Sequence, residues 1–159
     1  MSAERLHHYT TRTVWRAGAQ GPTRKDLAYS RDHVISADGK PSMTGSADPA
    51  FGGNPAHYDP ETMLVAALSS CHMLWYLHLC AVKGVEVHAY EDEPRGTMVE
   101  TPRNGRFTEV VLQPTITIAP ESDRDLALKL HERAHAECYI ANSVNFPVRC
   151  EPTVRILDS

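Results

Sequence analysis

Cys71, Cys80, Cys138 and Cys150 are the four cysteines of this 159-residue chain, and nine histidines accompany them. A thiol acts as a nucleophile only as the thiolate, so a working cysteine needs a cation or a helix N-terminus nearby. Cys71 falls ten residues after Glu61 in PETMLVAALSSCHMLWYLHLCAVK, a stretch that reads as one helix. The macrodipole is spent beyond the first turn, so activation of Cys71 requires a basic side chain from elsewhere. The alternative is a small buried core residue, as free cysteine often is. Cys80 lies nine residues further on and points to the opposite helix face at 100° per residue. Cys150 alternates with valines and reads as strand core. Cys138 ends a second helix, where a side chain can be presented to another element.

Glu61 opens the long helix, and ten residues of helix span about 15 Å. If Glu61 and Cys71 share a site while both are helical, they meet across a two-fold interface and not within one protomer. The simpler role for Glu61 is to complement the helix dipole. A metal reading comes from His131, His135 and Cys138, which fall at i, i+4 and i+7 on one helical face and suit zinc. His78 or Cys71 would then be the fourth ligand. No CxxC or HExxH motif accompanies them, so the pattern has low specificity.

The elements that must position these groups follow from local chemistry. Asp59 is an N-cap, Pro60 a first-turn proline and Gly84 a C′ stop, which predicts a helix over 60–83. It is apolar nearly all round, so a buried central helix is expected. Its serines and histidines argue against a membrane span. Before it, 11–17 and 27–36 read as strands, with Asp38-Gly39 as a hairpin signal. Residues 1–10 read as a flexible or partner-docked arm, and 40–58 as a long functional or interface loop. After it, 85–93, 97–100 and 107–119 read as strands, with Asn104-Gly105 as a turn. A second helix follows Pro120, capped by Ser122 or Asp123, with Leu126, Leu130 and Ala134 as its apolar stripe. A final strand over 147–157 turns Val148, Cys150, Val154 and Ile156 inward. The expectation is one α+β domain over 1–159, with antiparallel strands around a buried helix and a second helix.

Charged and apolar fractions of 23% and 42% are ordinary for a globular chain. A net charge of −4 without charge blocks argues against nucleic-acid or anionic-membrane partners. MSAERLHHYT lacks an apolar signal core, which points to the cytoplasm. In a reducing compartment, four cysteines are thiols, catalytic groups or metal ligands before they are staples.

PETMLVAALSSCHMLWYL followed by AHAECYIANSVNFPV resembles the OsmC/Ohr family of thiol-dependent hydroperoxide peroxidases, closest to its OsmC-like subgroup. The likeness runs from Val14 onward and is sharpest in the P-E-x(9)-C helix and the later A-H-x-x-C. It implies an intertwined homodimer with two active sites at the interface and no bound cofactor. It implies that Cys71 is peroxidatic, Cys138 resolving, and Glu61 the holder of a catalytic arginine. The loop over 40–58 carries no arginine, so Arg31 is the choice and Arg16 the reserve. The implied activity is reduction of an organic hydroperoxide to an alcohol through a Cys71 sulfenic acid and a Cys71–Cys138 disulfide. An external dithiol of lipoyl or thioredoxin type would reset it. The alternatives are a redox-sensing or ligand-binding dimer on the same fold, and the zinc protein above.

Overall fold

The computed structural model describes residues 4–158. Within the 1–10 arm, the first three residues lie outside them, and 4–11 are exposed and without regular structure. The chain divides into two compact units, Met1–Met63 and Leu64–Ser159.

In the first unit, β1 (Arg12–Trp15), β2 (His33–Ser36) and β3 (Met43–Gly45) form an antiparallel meander in that order. The expected strand over 27–36 is realised only in its last four residues. Leu27 has φ 60° and the 24–29 backbone closes two tight turns, conformations a strand cannot hold. The stretch over 40–58 is not structureless. It contains β3 and a 3-10 turn at Pro49–Phe51, capped by Asp48. Gly53 in this stretch is obligatory, because a Cβ there would stand 1.6 Å from the Ala47 carbonyl oxygen.

Helix α1 spans Pro60–Lys83. Asp59 caps it with both carboxylate oxygens, accepting from Thr62 N at 2.8 Å and from Thr62 Oγ1 at 2.8 Å. Gly84, with φ 74°, ends it. Val85 N donates to Cys80 O and Gly84 N to Ala81 O, which closes the helix by the two-bond motif that left-handed glycine permits. By length and composition α1 passes as a membrane span, contrary to the expectation from its serines and histidines. Within the second unit, however, its buried stripe (Leu68, His72, Tyr76, Leu79) packs into the core. The expectation of burial all round is not met: Leu74 is 63% exposed and Val82 65%. Leu74 lies on the face opposite the stripe, and Val82 lies on its flank in the last turn.

The second unit has two three-stranded sheets. One is ordered β4 (Val87–Asp92), β7 (Pro114–Ile118), β9 (Thr153–Ile156); the other is β5 (Arg95–Glu100), β6 (Gly105–Leu112), β8 (Val148–Cys150). Two corrections follow. The run over 107–119 breaks at Gln113, whose N–H turns to Asp92 Oδ1 at 2.7 Å. The C-terminal run splits at Glu151-Pro152 into β8 and β9, which join different sheets, parallel to β6 and β7. The sheets are therefore mixed. The inward alternation carries across the break, with Val148 and Val154 buried as expected, but Cys150 is only half-buried and Ile156, at the end of β9, is exposed. The β5–β6 connection is a four-residue turn in which Thr101 binds Asn104, and Gly105 is already paired in β6.

Helix α2 spans Arg124–Glu137, with Asp123 as N-cap to Leu126 N at 3.0 Å. Ser122 has another task, accepting from Glu86 N. The buried face is Ala127, Leu130, His131 and Ala134, rotated from the Leu126–Leu130–Ala134 stripe by one position. One core joins Tyr76, Leu79 and Cys80 of α1 to Ile116, Ile118, Val154 and α2. A second gathers Leu68, Val110, Leu112 and Val148.

Candidate active site

The second unit brings Cys71 and Cys138 together. Cys71 is half-buried on α1, and Cys138 is 1% exposed at the C-cap of α2. The Cys138 thiol is pushed up to about 11, mainly by burial, with a hydrogen bond and charge from Cys71 adding to the rise. The position of Cys138 is fixed by its own backbone. Its N–H donates to His135 O at 3.3 Å, its carbonyl accepts from Asn142 N, and its Sγ accepts from Ala141 N at 3.4 Å. Asn142 Nδ2 also donates to Ala136 O, and Ser143 Oγ to Tyr139 O. The segment CYIANS is thus a hydrogen-bonded knot at the end of α2. Beside it, Trp75, one turn after Cys71, meets Tyr139 edge to face with centroids 5.4 Å apart.

Glu61 and Arg31 belong to the first unit, where both line a cleft of about 330 Å³ with Trp15, Tyr29, Phe51 and others. Arg31 is held by its own segment: one guanidinium nitrogen donates to Leu27 O at 2.9 Å and to Tyr29 O at 2.6 Å. The guanidinium lies 4.2 Å from the Tyr29 ring centroid, a cation–π arrangement. A Cβ at Gly52 would come within 3.3 Å of Arg31 Cζ, so glycine leaves room for it. Among the described residues no ion pair joins Arg31 to Glu61. Arg16, the reserve, is exposed just after β1.

Of the other cysteines, Cys80 is core, 1% exposed, its thiol pushed up by burial. Cys150 is not simple core. Its Sγ lies 3.6 Å from His72 Nε2 and 3.8 Å from His131 Nδ1. Those two nitrogens are 3.0 Å apart, both histidines are buried, and the rings are parallel. The His131–His135–Cys138 face does not converge as a ligand set, since His131 turns to His72 and Cys138 to Cys71. His72 was readable in one respect. It falls on the stripe of Leu68, Tyr76 and Leu79, and a histidine on a core stripe must find a polar partner.

Comparison with known proteins agrees with this architecture. A family model described as OsmC-like protein matches residues 52–153. The structure of an OsmC-like protein of unknown function from Vibrio cholerae is 32% identical, with a TM-score of 0.84, over 92% of this chain and 99% of that one. An organic hydroperoxide resistance protein from Elizabethkingia anophelis is 17% identical with a TM-score of 0.69, over 98% of this chain and 100% of that one. One from Legionella pneumophila is 17% identical with a TM-score of 0.65, over 95% and 98%. The last two likenesses are of fold. A search of curated proteins gave no match. With the matched model covering most of the chain, and the Vibrio protein nearly all of it, the chain belongs to the OsmC/Ohr family.

Proposed function

We propose that this protein is a cysteine-based peroxidase that reduces organic hydroperoxides to alcohols. The observation that supports the reading is that Cys71, half-buried on α1, is a side-chain neighbour of the buried Cys138 at the C-cap of α2. The family's organic hydroperoxide resistance proteins give it context.

The Cys71 thiolate attacks the distal oxygen of ROOH. The O–O bond breaks, the alkoxide leaves and is protonated to ROH, and Cys71 is left as sulfenic acid. The Cys138 sulfur then attacks the Cys71 sulfur, displacing water and closing a disulfide. A dithiol, lipoyl or thioredoxin in type, reduces that bond by exchange. Arg31 is the proposed stabiliser of the thiolate and of the leaving oxygen, and Glu61 its positioning residue. Glu61 is about 15 Å along α1 from Cys71, so the protein is proposed to work as a homodimer in which each Cys71 is served by the Arg31–Glu61 cleft of the partner subunit. The exposed apolar side chains Leu74 and Val82 of α1 support dimerisation. Free thiols throughout suit the reducing cytoplasm.

A slow redox-sensing dimer is the second reading, favoured by the commitment of one Arg31 guanidinium nitrogen to two backbone carbonyls. Steady-state turnover of cumene hydroperoxide with a dithiol reductant separates the two. The peroxidase turns over many times, and Cys71→Ser does not. A wild-type protein that oxidises once over minutes is the sensor.

A further inference from the structure

His72, His131 and Cys150 form a cluster for which the peroxide chemistry has no use. They arrive from α1, α2 and the end of β8, and one ligand atom from each lies within 4.8 Å of the other two. The separations are 3.0 Å between His72 Nε2 and His131 Nδ1, and 3.6 and 3.8 Å from these nitrogens to Cys150 Sγ. Tetrahedral zinc, with bonds of about 2.0–2.1 Å to nitrogen and about 2.3 Å to sulfur, sets its nitrogens roughly 3.3 Å apart and nitrogen to sulfur roughly 3.6 Å. The three atoms reach those values with shifts of a few tenths of an ångström.

From this geometry we propose that His72, His131 and Cys150 bind a zinc ion, with the fourth position taken by water. Two imidazoles and one thiolate are a donor set of the softness zinc prefers. His131 and Cys150 also line a cleft of about 620 Å³, with His135, Glu132 and Arg149 on its walls. That cleft gives the ion its way in and the water its place.

The protonation states agree with the geometry. Burial pushes His72 down to about 4 and His131 to about 3, the like charge of His135 adding for His72 and that of His72 for His131. Both rings therefore offer lone pairs at neutral pH. Burial also pushes the Cys150 thiol up to about 12, so the ion takes the place of its proton: Zn²⁺ binds, a Zn–S bond forms and one H⁺ leaves. The outer nitrogens, His72 Nδ1 and His131 Nε2, have no partner among the described residues. Ring orientation is kept by stacking instead, with His131 lying on Tyr76 at 3.8 Å between centroids and 13° between planes.

The test is titration of reduced, metal-stripped full-length protein with Co²⁺, which reports thiolate ligation by a near-ultraviolet charge-transfer band and tetrahedral geometry by intense visible bands. The proposal expects saturation at one equivalent per chain and displacement by Zn²⁺. It expects the same spectrum in Cys71→Ser/Cys138→Ser, and at least about tenfold weaker binding in Cys150→Ser. Absence of the charge-transfer band in the wild type overturns it. So does a band that survives Cys150→Ser and disappears in Cys138→Ser, which would put the ion on the His131–His135–Cys138 face. Should Cys150→Ser not fold, alkylation of the wild type decides: one equivalent of Zn²⁺ must protect Cys150 and leave Cys71 reactive, and equal labelling of Cys150 with and without zinc refutes the site.

Discussion

Cys138, buried at the end of α2, has Cys71 of α1 as a side-chain neighbour, and burial first, with Cys71 adding to it, raises the pKa of Cys138. In the proposed mechanism, Cys138 so placed meets a newly formed Cys71 sulfenic acid without a large rearrangement. Cys138→Ser is therefore expected to consume one equivalent of hydroperoxide and stop, trapped as Cys71 sulfenic acid that dimedone labels. Multiple turnover of Cys138→Ser with a dithiol protein reductant would show that Cys138 is dispensable for resolution.

The rate of disulfide closure should climb with pH. With the Cys138 thiol pushed up to about 11 by burial, its thiolate is a small fraction at neutrality, and that fraction grows about tenfold per pH unit below the pKa. A raised pKa means the reactive form is gained as pH rises, so closure should accelerate steadily from about pH 6 to about pH 9. Trp75, edge-on to Tyr139, gives the stopped-flow fluorescence signal. A rate that levels off near neutrality would mean that Cys138 is activated by a group not in contact with it here.

Arg31→Ala should slow oxidation of Cys71 by roughly a hundredfold, the scale of losing one preorganised charge donor. Arg31→Lys should not rescue it. The guanidinium binds the Leu27 and Tyr29 carbonyls together and sits against the Tyr29 ring, which an ammonium cannot reproduce. An unchanged oxidation rate in Arg31→Ala would transfer the role to Arg16.

Stability should respond most where α1 enters the core. Leu68→Ala empties a site that is 1% exposed among Val110, Leu112 and Val148, with an expected loss of about 2–5 kcal/mol. Gly84→Ala forces a Cβ onto φ 74° and should cost on the order of 1 kcal/mol, although nothing lies within 4 Å of that Cβ. Urea denaturation measures both. Equal losses for the two would contradict the assignment of Leu68 to the core.

What the sequence disclosed was the local chemistry. Asp59 and Gly84 bracket α1 because cap and stop signals act within a turn or two of the chain. Asp123 capped α2 for the same reason. The pairing of Cys71 with Cys138 is an expectation of family resemblance alone, since nothing in a cysteine's spacing says which sulfur it will face. The His72–His131–Cys150 cluster was missed because its members are 59 and 19 positions apart and share no local motif. Cys150 also sits in a valine-bearing strand that looks like plain core. The break at Glu151-Pro152, which sends β8 and β9 to different sheets, is a tertiary choice with only a proline to announce it.

The central claim is that Cys71 and Cys138 are one redox pair. It is tested most directly by adding one equivalent of cumene hydroperoxide to reduced, metal-free protein and measuring intact mass and free thiols. The account predicts loss of two thiols and of two mass units within seconds, with the disulfide peptide joining Cys71 to Cys138. Neither Cys71→Ser nor Cys138→Ser should form that disulfide. Four intact thiols after minutes, or a disulfide involving Cys80 or Cys150 instead, would contradict it.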